Sequence, residues 1–263
     1  MGRIIQGDSA EVMKTFESNS IDLTITSPPY DNVRLFKGHK WDCEAIIKEL
    51  FRITKEGGVV VWVVADEYIK GGRSGSSFRQ AIMFQDAGFK IHDTMIYQKA
   101  GVAYPAGCKS TRYTQIYEFM FVFCKGKIKT HNLIRDKVNR SYNPNAKPRK
   151  KITKNKHGET IIQPLGNVVN QTGYRNNIWT YSTGRGHTSK NSVVFKHPSV
   201  FPEQLAEDHI ITWSNEGDVV LDCFAGSGTT LKMAKKNNRE YIGIEIDEEY
   251  CEIINQNIQE VHT

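Results

Sequence analysis

A chain of 263 residues with 39% hydrophobic and 24% charged residues can bury a full core and form one large α/β domain with an insertion, and its net charge of +6 is modest for that size. No apolar run approaches the roughly 18 residues of a membrane span. The amino terminus passes straight into a strand-like pattern, so neither anchor nor signal peptide is expected, and Gln6 stands where a myristoylation motif carries Ser or Thr. The five cysteines, at 43, 108, 124, 223 and 251, contain no Cys-x-x-Cys pair, which fits reduced thiols in a cytoplasmic protein and gives no metal site.

In chain order, residues 3–6 form a short apolar strand, followed by Gly7-Asp8 and a helix over 9–16. Residues 21–26 alternate and are β-branched, a strand that runs into Ser27-Pro28-Pro29-Tyr30, where the prolines end regular pairing. Apolar residues at 46, 47, 50, 51 and 53 predict a helix over 42–54, closed by Gly57-Gly58. The unbroken apolar run 59–64 reads as a strand buried on both faces. A helix over 77–87 precedes two strands, 91–97 and 118–124, expected to pair antiparallel. After a long irregular stretch, regularity returns as a helix over 202–214, a strand over 219–224, a helix over 229–237, a strand over 241–246 and a last helix over 248–261. Strands alternating with helices predict a doubly wound, mostly parallel sheet.

The irregular stretch, residues 125–196, holds 16 Lys and Arg against only Asp136 and Glu159, a local balance of +14 that leaves about −8 for the rest of the chain. A structureless loop of that length is uncommon inside a compact domain, so a small inserted module or a segment that orders on binding is expected. Its charge, interleaved with Tyr142, Tyr174, Trp179 and Tyr181, points to nucleic acid rather than to an ordinary solvated surface. Lys147, Arg149, Lys150 and Lys151 are candidate phosphate contacts. Asn167, Asn170, Gln171, Tyr174 and Arg175 are candidates for reading bases, because amides and guanidinium groups make bidentate contacts. Trp179 fits core packing of the module better. The expected organisation is 1–124 and 197–263 as two halves of one domain, with 125–196 inserted between them.

Two motifs carry the chemistry. Asp222-Cys223-Phe224-Ala225-Gly226-Ser227-Gly228-Thr229-Thr230 lies between a strand and a helix, where its glycines let the backbone turn tightly and approach a ligand. Glu245 ends the next strand, where a carboxylate accepts both hydroxyls of a ribose. A phosphate-binding loop is excluded because no Lys-Ser/Thr follows the glycines. The turn Thr26-Ser27-Pro28-Pro29-Tyr30 follows a buried strand, which places it at the carboxyl edge of the sheet, where open α/β folds bind ligands. The strand argues against an exposed proline-rich ligand segment.

Together these motifs resemble the signatures of the amino-methylating DNA methyltransferases. In this chain the turn precedes the loop, the order of that family's circularly permuted beta group, whose Rossmann-like fold the resemblance implies. The resemblance covers residues 3–124 and 197–259, and 125–196 would be its target-recognition insertion. It implies S-adenosylmethionine as cofactor, held by Asp222, Phe224, Ala225, Gly226, Ser227, Gly228, Thr229, Thr230 and Glu245. Asp8 would approach the adenine amino group, although an ordinary helix cap explains it equally well. His197-Pro198-Ser199-Val200-Phe201-Pro202-Glu203 resembles the family's segment beside the methionine moiety, with Phe201 where many members carry Lys.

The resemblance also makes Ser27, Pro28, Pro29 and Tyr30 catalytic, acting on a base extruded from double-stranded DNA. Ser-Pro-Pro-Tyr is commoner among N4-cytosine enzymes and Asp-Pro-Pro-Tyr among N6-adenine ones, so N4-cytosine is expected first and N6-adenine second. No cysteine is preceded by proline, so the nucleophile of carbon-5 cytosine methylation is missing. A homodimer and a cognate restriction endonuclease are candidate partners. Competing readings are a nicotinamide-dependent oxidoreductase, for which no Tyr-x-x-x-Lys is joined to the loop, and a nucleic-acid-binding protein with a non-catalytic pocket. RNA or a protein glutamine as methyl acceptor is a further alternative, since Asn-Pro-Pro-Tyr turns recur there.

Overall fold

The computed structural model describes residues 2–29, 41–69, 71–101, 113–145, 149–165, 169–184 and 186–261. The first half of the chain forms β1 (Arg3–Gln6), α1 (Ser9–Lys14), β2 (Ile21–Thr26), α2 (Cys43–Ile53), β3 (Thr54–Val64), the short pair β4 (Tyr68–Ile69) and β5 (Gly72–Arg73), α3 (Ser76–Asp86), β6 (Lys90–Ala100) and β7 (Tyr117–Cys124). Then come β8 (Lys137–Val138), β9 (Arg149–Lys154), β10 (Thr160–Leu165), β11 (Thr172–Gly173) and β12 (Ile178–Ser182). A 3₁₀ turn at Ser192–Lys196 leads to α4 (Glu203–Trp213), β13 (Val219–Asp222), α5 (Thr229–Lys236), β14 (Glu240–Glu245) and α6 (Glu248–Gln259).

Eight strands make one sheet in the order β1-β14-β13-β2-β3-β7-β6-β12. All neighbours are parallel except β7, which runs antiparallel to both β3 and β6. The expected antiparallel pair is therefore present, and the sheet is mostly parallel as predicted. β3 is buried on both faces from Gly57 onward, which its unbroken valine run requires. Val60, Trp62 and Val64 point to the side packed by Met13 of α1, Ile46, Ile47 and Leu50 of α2 and Phe84 of α3. Phe84 stacks on Phe123 at 4.0 Å and meets Trp62 edge-on at 5.0 Å. Helices α4 and α5 pack on β2 and β13, and α6 joins α5 over a smaller cluster of Leu231, Ile254 and Ile258. Among the described residues no helix is long and apolar enough to cross a membrane.

The chain divides into two compact units, residues 1–132 with 177–263, and residues 133–176. The second is narrower than the basic stretch read from composition. Residues 178–182 alternate exposed and buried and pair with β6 as β12, so Trp179 and Tyr181 belong to the core of the larger unit rather than to the insertion. Tyr181 donates to Asp208 Oδ2 at 2.6 Å, and Trp179 lies 4.6 Å from the His209 ring. A base-reading role for Trp179 is thereby excluded, since the side chain is 5% exposed.

The smaller unit consists of the β9–β10 hairpin and the β8–β11 pair. The hairpin's turn is closed by Asn155, which donates to Glu159 Oε2 at 2.7 Å and accepts from its N–H at 3.0 Å. Arg175 is ion-paired to Asp136, which holds that carboxyl below its ordinary range. The Arg135 guanidinium sits 4.9 Å from the Tyr174 ring. The backbone carbonyls of Asn170 and Gln171 accept from Asn139, which leaves both side chains exposed.

Candidate active site

Parallel order brings the carboxyl ends of β14, β13, β2, β3 and β6 to one edge of the sheet, where the chain leaves β2 and β13 in opposite directions across the fold. Such a divergence point opens a crevice, and a cavity of about 710 Å³ lies there.

Ser27, Pro28 and Pro29 line it; Tyr30 lies outside the described residues. The turn is aimed by the residue before it. Thr26, fully buried, donates to Asp222 Oδ1 at 2.7 Å, tying the end of β2 to the end of β13. The same oxygen accepts from the Phe224 N–H at 3.1 Å. Asp222 does not border the cavity; it joins the catalytic turn to the loop on the next strand and is 1% exposed. Burial, opposed by the hydrogen bonds of Thr26, Thr230 and Phe224, pushes its pKa up to about 6.

That shift has a testable consequence. The folded-state pKa lies above the ordinary value of 3.8, so the native protein binds the proton more tightly than the unfolded chain. Stability contributed by the protonated form is present below about pH 4 and is lost as pH rises to about 6, a change of ~3 kcal/mol for this one group. Asp222→Asn keeps the Oδ1 acceptor and is expected to flatten the decline of Tm between pH 4 and 6. Parallel curves for the variant and the wild type would contradict the assignment.

The loop after β13 is built around its glycines. Gly226 has φ +52°, and a Cβ there would sit 3.0 Å from His197 Nε2. Gly228 has φ +77°, and a Cβ there would lie 2.9 Å from Ile254 Cγ2. Gly228 also starts α5, so its position serves packing, and it does not border the cavity. Phe224, Ala225, Gly226, Ser227 and Thr229 do. Thr230 points into the core with its hydroxyl 3.4 Å from the Ile25 carbonyl.

Glu245 latches the loop: Oε2 accepts from the Gly226 N–H at 2.8 Å and Oε1 from the Asp247 N–H at 3.0 Å. Burial holds its pKa above the ordinary carboxylate value despite these bonds. Each oxygen retains a further lone pair, so a carboxylate bordering the cavity can accept two more hydrogen bonds from adjacent hydroxyls. That donor set fits the ribose of a nucleoside cofactor. Asp8 caps α1 by accepting from the Glu11 N–H at 3.1 Å and also borders the cavity. Phe201 borders it, whereas Pro202 only caps α4. His197 is fixed through Nδ1 to the Ser199 backbone and meets Tyr250 edge-on at 4.5 Å.

Below the loop, the fully buried Asn257 donates to the Ser227 carbonyl at 2.9 Å and accepts from Asn191 at 3.2 Å. Asn191 in turn follows Ser189, which donates to Glu203 at 2.6 Å, and Glu203 pairs with Lys232 at 2.9 Å. This polar chain fixes the backbone of Ser227 from beneath.

Several cavity residues carried no motif in the sequence. Asp66, Tyr68 and Arg73 follow β3, and Tyr97, Lys99 and Glu118 stand at the same edge on β6 and β7. Lys99 and Glu118 form an ion pair at 2.5 Å, and burial raises the Tyr97 hydroxyl's pKa. Their only signal was position at strand ends. The cavity therefore has two halves either side of β2, a loop-and-carboxylate half over β13 and β14 and a polar half over β3, β7 and β6.

Known proteins are similar to this chain in sequence and in fold. Residues 21–256 match the family model described as DNA methylase, for N6 and N4 methyltransferases. The orphan methyltransferase M.BamHII of Bacillus amyloliquefaciens is 50% identical over 240 residues, covering 91% of this chain and 89% of the relative. Among solved structures, the PvuII DNA methyltransferase, cytosine-N4-specific, superposes with a TM-score of 0.71 at 21% identity, covering 97% of this chain and 86% of that one. A DNA modification methylase of Thermus thermophilus, complexed with S-adenosylmethionine, gives a TM-score of 0.65 at 22% identity, with 99% and 96% covered.

Proposed function

The chain belongs to the DNA methylase family of N6 and N4 methyltransferases, and on that premise we propose that it transfers a methyl group from S-adenosylmethionine to the exocyclic N4 of cytosine in double-stranded DNA. The observation that carries this reading is that Ser27-Pro28-Pro29, at the end of β2, and the loop latched by Glu245, at the end of the neighbouring β13, border one cavity.

Bound there, S-adenosylmethionine supplies an electrophilic methyl on a sulfonium. Glu245 would hold its ribose hydroxyls, Asp8 its base, and Phe224, Phe201 and the 225–229 backbone the rest. The chain's own contribution is to prepare the acceptor. An exocyclic amine is conjugated with its ring and a poor nucleophile, and acceptors aimed at its N–H groups localise the lone pair. Ser27 offers a hydroxyl oxygen. Pro28 offers a carbonyl, and Pro29 has no N–H and fixes the turn. The target base must leave the duplex to reach them. Ser27, rather than a carboxylate, favours cytosine; adenine N6 is the alternative.

Arg149, Lys150 and Lys151 on β9, with Lys147 outside the described residues, are proposed to bind phosphates, and the exposed side chains of Asn170 and Gln171 to read bases. Arg175, being paired to Asp136, serves the smaller unit's structure as well. Mass spectrometry of nucleosides from DNA treated with the enzyme is expected to show N4-methylcytosine; N6-methyladenine would establish the alternative, and neither would defeat the reading.

A further inference from the structure

The polar half of the cavity contains a cation, Arg73, to which the reading above assigns no part. After β3 the chain forms the β4–β5 hairpin, and there the Arg73 guanidinium stacks 3.8 Å from the centroid of the Tyr68 ring. Arg73 also donates to Tyr68 Oη at 2.6 Å and to the Asp66 carbonyl at 2.8 Å. The Asp66 carboxylate accepts from the Ser77 N–H at 2.9 Å, which fastens the base of the hairpin to the start of α3. Tyr68 is 48% exposed and Arg73 is exposed beside it. The arrangement is a rigid cation presented to solvent at the edge of the site.

Its setting is acidic. Among the described residues, Asp8, Asp66, Glu67, Glu118, Glu245 and Asp247 border the cavity, against Arg73 and Lys99. Lys99 is committed to Glu118 at 2.5 Å. Among the described residues, Arg73 has no carboxylate partner. The chain outside 125–196 carries about −8 overall. A nucleotide extruded into the cavity would bring its flanking phosphates to this edge.

We propose that Arg73, braced on Tyr68, binds the phosphodiester flanking the extruded nucleotide. Two of its five N–H donors are used within the hairpin, and the remaining three can meet a phosphate in the fork geometry that guanidinium favours. Bracing by Tyr68 removes rotamer freedom before DNA arrives, which lowers the ordering cost of the contact. The hairpin follows β3, on the side of β2 away from Glu245, so the site belongs to the substrate half. The proposal rests on the DNA-methyltransferase reading.

The test is methylation of plasmid DNA by wild type, Arg73→Ala and Arg73→Lys, varying DNA and salt, with cofactor affinity measured separately by calorimetry. Arg73→Ala is expected to raise KM for DNA about tenfold, the loss of one charge-assisted contact. It should also make the dependence of log kcat/KM on log salt shallower by about 0.9, with unchanged cofactor affinity and unchanged methylated sites. Arg73→Lys should regain the salt slope but only part of the KM, since an ammonium restores charge without the fork. Unchanged KM and slope in an active Arg73→Ala enzyme would overturn the proposal alone. Weakened cofactor binding would overturn it in favour of a contact to the cofactor's carboxylate. A wild type that neither binds the cofactor nor methylates DNA would remove the underlying reading, and the proposal with it.

Discussion

Ser27→Ala is expected to lower kcat for DNA methylation by about 10²-fold, the usual scale for removing one group that acts as charge develops. Cofactor affinity and DNA affinity should stay near wild type. The separation follows from geometry. The end of β2 is held by the buried Thr26–Asp222 bond at 2.7 Å and by pairing of Thr26 with Trp62 on β3, neither of which involves the Ser27 side chain. Removing the Ser27 hydroxyl therefore leaves both of these ties in place and deletes one acceptor for the amine. That acceptor matters most as positive charge develops on the attacking nitrogen, so the loss falls on kcat rather than on binding. Single-turnover kinetics at saturating DNA and cofactor measure it directly. A variant with wild-type turnover would make the turn a structural element only.

The chemistry-bearing half of this site was legible because short motifs demand it. Gly226 and Gly228 occupy positive φ beside His197 and Ile254, and Glu245 ends a strand beside them, so residue type and place in the chain coincide. Asp222 shows the limit of such reading. It sits within the loop motif, yet its carboxylate turns inward to Thr26, and nothing in the string distinguishes a ligand-facing acid from a buried clamp. The polar half carried no motif, only positions at strand ends. Arg73, Lys99 and Glu118 meet through the order of β3, β7 and β6, a pairing of distant segments that no local period announces. The edge strand β12 was hidden for a different reason. Its alternation spans only Ile178–Ser182 and is surrounded by Asn, Gly, Ser and Lys, so composition outweighed a five-residue pattern. The sheet edge offered by β6 gives that pattern something to pair with.

Glu245→Ala is expected to weaken S-adenosylmethionine binding by at least about a hundredfold. Two hydroxyls would each lose a charged acceptor, about 1.5–3 kcal/mol per bond. The structure adds a second loss, because the same carboxylate accepts from the N–H groups of Gly226 and Asp247. Without it the loop's backbone is unlatched and two backbone donors, the Gly226 one buried, lose this partner. Glu245→Gln is for this reason no conservative change: one amide N–H₂ must face a backbone N–H where an oxygen stood. It should bind the cofactor worse than wild type while preserving side-chain volume. The pH dependence has a definite sign. Burial raises the carboxyl's pKa in the folded protein, and hydroxyl donors bind its ionised form, so protons and cofactor compete. Cofactor affinity should rise with pH through that folded pKa and then level off, and in Glu245→Ala this part of the pH dependence should vanish. Calorimetric titrations across pH for both proteins test the point. Equal affinities at every pH would remove Glu245 from the cofactor site and leave it only the latch of the Gly226 loop.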